Sequence, residues 1–176
     1  MSTKINKLPG IKLKENEMYS LIGLVEDMPK AKYDFAAGTT ISTFLHGLKE
    51  GKILGRKCPK CGRIYVPPRS YCEWCHVATN EWIEVPQTGE IHTAVITYIS
   101  TKREKIEKPE VVGTIKLDVP GYREGEYEFA GLFHKICIDP QDVISGKAIG
   151  MKVKVKWKPK EERTGSILDI ECFEPL

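Results

Sequence analysis

Four cysteines fall in two tight pairs, Cys58-Pro-Lys-Cys61 and Cys72-Glu-Trp-Cys75, with residues 62–71 between them. Two residues between thiols let a tight turn aim both sulfurs at one ion, and two such knuckles complete a tetrahedron. Gly62, directly after the first pair, suits the turn because positive φ costs glycine little. The expected ligand is one zinc ion held by Cys58, Cys61, Cys72 and Cys75; iron in an S4 site uses the same donors. With every position filled by protein, the ion has no open site for substrate, so the expected role is structural. A redox-active C-x-x-C would need a thioredoxin-like βαβ setting, which the flanking sequence lacks. His76 could replace a thiolate, but four cysteines already fill the shell.

The same segment is basic. Net charge over the whole chain is only +3, yet Lys52, Arg56, Lys57, Lys60, Arg63 and Arg69 are opposed there by Glu73 alone. A divalent ion among four thiolates is net negative, so part of this excess balances the metal and the rest is available to an anionic ligand. Arg69, on the stiffened Pro67-Pro68 segment, is the best single candidate, with Arg56, Lys60 and Arg63 close in sequence. The plainer reading of these cations is solvation of a small ribbon, and that of Tyr71 and Trp74 is packing rather than stacking on a base.

The elements that must position these groups can be read from periodicity. Residues 1–32 are polar apart from a short apolar cluster from Met18 to Val25, and show no clean period. Ile41, Phe44, Leu45 and Leu48 recur at helical spacing, with Thr39 or Thr40 as N-cap and Gly51 as C-cap, predicting a helix near 40–50 whose stripe packs inward. After Glu81 the pattern turns to strands. Ile91, Thr93, Val95, Thr97 and Ile99 alternate with His92, Ala94, Ile96 and Tyr98. Val111 to Val119 is a second strand. Tyr127 to Ile138 is a third, with Gly131 expected to mark a bulge or bend inside it. Asp139-Pro-Gln-Asp opens a short helix or turn, and Met151, Val153, Val155 and Trp157 alternate with Lys152, Lys154, Lys156 and Lys158 in a fourth strand, read as a barrel strand with one wet lysine face. Ile167 to Phe173 is the last. The expected fold is mainly β: an N-terminal arm and helix over 1–50, a zinc ribbon over 51–82, and a five-stranded Greek-key barrel of the OB type over 83–176.

A hydrophobic fraction of 41% and a charged fraction of 29% fit a soluble globular protein. No stretch approaches the roughly 18–20 apolar residues of a membrane span, and the N-terminus lacks the apolar region of a secretory leader, so a cytoplasmic setting is expected. In that setting a disulfide framework is not expected, and Cys137 and Cys172 read as separate packing thiols. His134, three residues from Cys137 on one strand, falls on the opposite face and also reads as packing. No phosphate loop, triad, carboxylate pair or thiolase nucleophile signature stands out.

The run Leu48-Lys-Glu-Gly51-Lys-Ile-Leu-Gly55, followed by Cys58-Pro-Lys-Cys61-Gly, Pro67-Pro68-Arg69 and Cys72-Glu-Trp-Cys75 ahead of the strand set, resembles the DUF35 family of rubredoxin-like zinc ribbon plus OB-fold proteins. The resemblance covers roughly residue 35 to the C-terminus. It implies an acyl-CoA-associated protein, the small non-catalytic partner of a thiolase-family or ketoacyl-CoA-forming enzyme. CoA would need cations for its phosphates and an apolar surface for adenine and pantetheine; Arg69, Arg63, Lys60 and Arg56 are the candidates. Two other readings stay open: a nucleic-acid binder, since ribbons and OB barrels both serve in that role, and a stand-alone carrier of CoA esters.

Overall fold

The computed structural model describes residues 14–17, 33–100, 103–120 and 130–176. The chain divides into two compact units, Met1–Phe35 and Ala36–Leu176. In the first, residues 14–17 are exposed and the apolar cluster from Met18 to Val25 lies outside the described residues. The second unit carries everything that follows.

Helix α1 spans Gly38–Lys49 and buries Phe44 and Leu48, so the periodic stripe is indeed its packing face. Its outer face, with Ser42, Thr43, His46 and Lys49, is polar and exposed. The N-cap is Ala37 with no side-chain cap, not Thr39 or Thr40. Thr40 is instead buried and hydrogen-bonded to Arg56 and Ser70, so tertiary contacts took the hydroxyl that propensity assigned to capping. Gly51, at φ 77°, does terminate the helix: its N–H donates to Leu48 O at 2.9 Å and that of Lys52 to Gly47 O at 2.8 Å, a Schellman arrangement.

A three-stranded sheet follows, in order β2-β1-β3, from β1 (Ile53–Lys57), β2 (Ile64–Tyr65) and β3 (Glu81–Val85). Cys58 stands just after β1. Ile53 and Val85 are buried beneath α1 residues Phe44 and Leu48 in the continuous apolar core.

The remaining strands are β4 (Thr88–Ile99), β5 (Lys105–Leu117), β6 (Gly131–Ile136), β7 (Lys152–Trp157) and β8 (Ile170–Pro175), with helix α2 (Pro140–Ile144) between β6 and β7. They close a barrel in the order β4-β5-β6-β8-β7, in which β6 and β8 are parallel and the other seams antiparallel. This is the expected five-stranded OB arrangement, a helix between the third and fourth strands included. The lysine face of β7 is wet and paired: Lys152 reaches Glu90 and Asp118, Lys154 reaches Glu174, and Lys156 reaches Glu171.

Strand detail departs from the simple alternation. A bulge at His92 shifts the β4–β5 register between Ile91 and Thr93, so the core face passes from Ile91 to Ala94 and Ile96, and Val95 and Ile99 turn outward. Gly113 lies opposite: a Cβ there would stand 1.9 Å from Thr93 O, so only glycine allows the two backbones to meet. The bend expected at Gly131 is therefore at His92, and Gly131 is simply the first residue of β6. Residues 121–129 lie outside the described residues, which includes the start of the third strand as expected from Tyr127. β5 begins at Lys105, earlier than expected, because it continues through Pro109.

Cys137 and Cys172 are not separate thiols. They form a disulfide with Cα atoms 5.8 Å apart. The period of β8 correctly turned Cys172 inward, but period alone does not show which strand lies beside it; the parallel β6–β8 pairing brings the end of β6 to Cys172.

Candidate metal centre

Each knuckle is a turn closed by its own backbone. In the first, the Gly62 N–H donates to Cys58 O at 3.0 Å and the Cys58 N–H to Arg63 O at 2.8 Å. In the second, the His76 N–H donates to Cys72 O at 2.9 Å and the Cys72 N–H to Val77 O at 2.8 Å. These turns bring the sulfurs of Cys58, Cys61, Cys72 and Cys75 within 4.8 Å of one another. A tetrahedral Zn–S distance of about 2.3 Å implies S–S edges of about 3.8 Å, and the Cys61 and Cys72 sulfurs are 3.7 Å apart.

The donor set has the electrostatics of an ion site. Cys58 and Cys72 are fully buried, and the N–H groups of Lys60 and Cys61 point at Cys58 Sγ at 3.4 and 3.5 Å. Burial works against a Cys72 thiolate, but hydrogen bonds from the Tyr65 hydroxyl and from the Cys75 and Trp74 backbone pull that thiol down to about 6. Burial and then the other sulfurs push Cys75 up to about 12. Thiols this crowded cannot all ionise unless a cation sits among them, so the residues fit a divalent ion. His76 is exposed and stands outside the cluster.

Tyr65, unnoticed in the sequence, lies against the four-cysteine cluster. Its hydroxyl is 3.2 Å from Cys72 Sγ and donates to a thiolate there. Its pKa is held above the ordinary tyrosine range, first by burial and then by Cys72. Arg69 lies over the Tyr65 ring, 5.6 Å from its centroid, and is ion-paired with Glu73. A line of contacts therefore runs from the surface pair Arg69–Glu73 through Tyr65 to Cys72. Its sequence signals were the i,i+4 charge spacing and an aromatic residue midway between the knuckles.

The other basic candidates are engaged as well. Arg63 stacks on Trp74 at 4.4 Å and points Nη1 at Cys61 Sγ, 3.9 Å away. Arg56 lies over Trp82 at 5.1 Å and donates to Thr40 Oγ1 at 2.9 Å. Lys60 is exposed. Arg63 and Arg69 meet in one hollow of about 130 Å³ with Tyr65, Glu73 and Ala130. Arg69 also borders a wider cleft of about 530 Å³ with Ser70, Tyr71 and the start of α1. Arg56 and Lys60 line neither.

Known proteins share this plan. Residues 45–81 match the family model for the ChsH2 rubredoxin-like zinc ribbon domain, and residues 82–158 match that for the ChsH2 C-terminal OB-fold domain. A DUF35 domain-containing scaffold protein of Methanocaldococcus jannaschii is 24% identical over 132 residues, which is 74% of this chain and 85% of that protein. The crystal structure of a DUF35 protein of unknown function from Sulfolobus solfataricus is similar, with a TM-score of 0.53 and 26% identity over 78% of this chain and 86% of that one. A chain of the Ltp2-ChsH2(DUF35) aldolase has the same fold, with a TM-score of 0.54 and 19% identity, covering 84% of this chain and 98% of that one. With its cysteine ribbon leading into an OB barrel and both matched by the family's own domains, this chain belongs to the DUF35 family of rubredoxin-like zinc ribbon plus OB-fold proteins.

Proposed function

We propose that this chain is a cytoplasmic, non-catalytic subunit of an acyl-CoA thiolase-type or related ketoacyl-CoA-forming complex, which stabilises its partner enzyme and helps to bind CoA. The observation that carries the reading is the four-thiol cluster: Cys58, Cys61, Cys72 and Cys75 lie close enough together to fill all four positions of one zinc ion, which would leave it a structural part. Support comes also from the relatives, one described as a scaffold protein and one as part of an aldolase assembly. The exposed Val95, Tyr98, Ile99 and Phe133 on the barrel offer apolar surface of the kind that an obligate partner covers.

For CoA, the Arg63–Arg69 hollow has the charge for a phosphate but, at about 130 Å³, not the room for a nucleotide. Sites for drug-sized ligands run to roughly 300–1,000 Å³, a range that the wider cleft of about 530 Å³ beside Arg69 does reach, and the partner subunit would cover what these open surfaces leave to solvent. A nucleic-acid role is less well supported, since Lys152, Lys154 and Lys156 are each paired with carboxylates. The test is purification of the native complex through a tag on this chain. An acyl-CoA-condensing enzyme should co-elute and be active, while the chain alone turns over no CoA ester. Elution alone, or turnover by the isolated chain, refutes the proposal.

A further inference from the structure

Four seams of the barrel are antiparallel ladders. β4 runs along β5 from Gly89↔Leu117 to Ile99↔Lys105, β5 along β6 from Val111↔Ile136 to Lys116↔Gly131, β7 along β8 from Val153↔Pro175 to Trp157↔Ile170, and β4 along β7 from Thr88↔Lys154 to Glu90↔Lys152. The fifth seam, β6–β8, is parallel and rests on the pair Ile136↔Phe173, with the Cys137 N–H donating to Phe173 O at 2.8 Å. The Cys137–Cys172 disulfide crosses this short seam. Behind it Leu132, Ile136, Ile170 and Phe173 are core residues, Phe173 with no exposed surface. Cys172 is equally buried, whereas Cys137 is exposed.

We infer that the Cys137–Cys172 bond is a redox-controlled clasp on the barrel: oxidised, it holds β8 against β6, and reduced, it lets this seam open. The co-reactant is a dithiol. One of its thiolates attacks the Cys137 sulfur from the exposed side; the S–S bond breaks, and its electron pair leaves on Cys172, which takes a proton. The second thiol of the reductant then attacks the mixed disulfide, closing its own disulfide and releasing Cys137 as a thiol. The protein gains two electrons and two protons, and the dithiol loses the same. Without the clasp the shortest seam opens before the longer ladders, because parallel pairing is the weaker kind and local opening starts where few bonds resist it. β8 stays on β7 through its own ladder, so the event is a parting of β6 from β8 that uncovers Ile136 and Phe173.

The test uses the full zinc-loaded chain. Cys137 and Cys172 are oxidised with glutathione disulfide, reduced with a phosphine, and their state read by mass under denaturing, non-reducing conditions. Amide exchange is followed by NMR. Reduction should speed exchange of the Cys137 N–H by about tenfold or more, while the Cys58 and Cys72 N–H groups keep their protection and zinc stays bound. A Cys137→Ser/Cys172→Ala chain should show the reduced pattern without reductant; if it fails to fold, the reduced parent gives the same reading. The inference is overturned if both cysteines remain thiols under oxidation, or if Cys137 N–H exchange is the same in both redox states.

Discussion

Gly62 and His76 occupy matching positions in the two knuckles, each following the second cysteine of its pair, with φ of 76° and 51°. Both N–H groups close onto the carbonyl of the first cysteine, so one turn is built twice and needs a left-handed residue each time. Only the first copy uses glycine. No neighbour would meet a Cβ on Gly62, so a side chain there is opposed by backbone conformation alone. An L-residue in that region is disfavoured by roughly 1–2 kcal/mol, offset in part by glycine's larger unfolded-state entropy.

Gly62→Ala should therefore lower the stability of the zinc-loaded chain by about 1 kcal/mol, and His76→Gly should raise it by up to about 1 kcal/mol. Denaturant titration of both variants checks this. A loss in His76→Gly equal to that in Gly62→Ala would mean that the imidazole makes a contact worth more than the strain.

The metal site gives a graded prediction. Protein made without added metal should hold about one zinc per chain, and Cys72→Ser should lose it and unfold the ribbon, since structural zinc supplies on the order of 10 kcal/mol. Tyr65→Phe should keep the ion but bind it about 10–100-fold more weakly, the usual cost of removing a ligand's own hydrogen-bond partner. Competition with a chromophoric chelator measures both. Unchanged affinity in Tyr65→Phe would reduce the Tyr65–Cys72 contact to packing.

Asp169 makes the fold sensitive to acid. Its buried carboxylate accepts from the N–H groups of Thr164, Gly165 and Ser166 at 3.0, 2.7 and 3.1 Å. Burial alone would raise its pKa, but those donors outweigh it and hold the group below its ordinary 3.8. A folded pKa below the unfolded one gives stability that is complete above about pH 4 and is lost as the pH falls through the folded value. Asp169→Asn should cost about 1.5–3 kcal/mol near neutral pH, as for hydrogen bonds to a charged group. The gap between parent and variant should then narrow below pH 4, read as the difference between the two zinc-loaded chains at each pH so that zinc release common to both cancels. A constant gap would mean that the charge contributes nothing.

Periodicity and spacing carried the frame, and they failed where the answer depended on a neighbour far along the chain. The C-x-x-C knuckles, the α1 stripe and the β7 lysine row are local patterns, and the structure repeats them. The His92 bulge is different, because it inverts the faces of β4 without altering the alternation that was read; the signal for it was Gly113, on another strand. The Cys137–Cys172 bond depended likewise on the parallel β6–β8 seam. At the site, the basic residues were legible as charges, but not the rings and carboxylate that occupy them: Trp74 for Arg63, Trp82 for Arg56, Glu73 for Arg69.

That occupation of Arg69 sharpens the test of CoA binding. A phosphate reaching Arg69 must compete with Glu73, so the two residues should act in opposite directions. In the whole complex, Arg69→Ala should weaken CoA binding by roughly 1.5–3 kcal/mol, the range for a charge-assisted hydrogen bond. Arg69→Lys should recover only part, since an ammonium lacks the planar paired contact of a guanidinium. Glu73→Gln should tighten binding, because it frees the guanidinium and removes a negative charge beside the phosphate. Added salt should weaken binding in the parent more than in Arg69→Ala, as screening acts on the charge pair that the variant lacks. Dephospho-CoA separates the phosphates: if Arg69 serves the 3′-phosphate, its loss should matter little for that analogue. Calorimetric titration of the complex measures each arm, with zinc content as the control that the ribbon is intact. Should Arg69→Ala and Glu73→Gln both bind CoA like the parent at every salt concentration, the Arg69–Glu73 pair only braces the Tyr65 side of the metal site, and the hollow between Arg63 and Arg69 holds no phosphate.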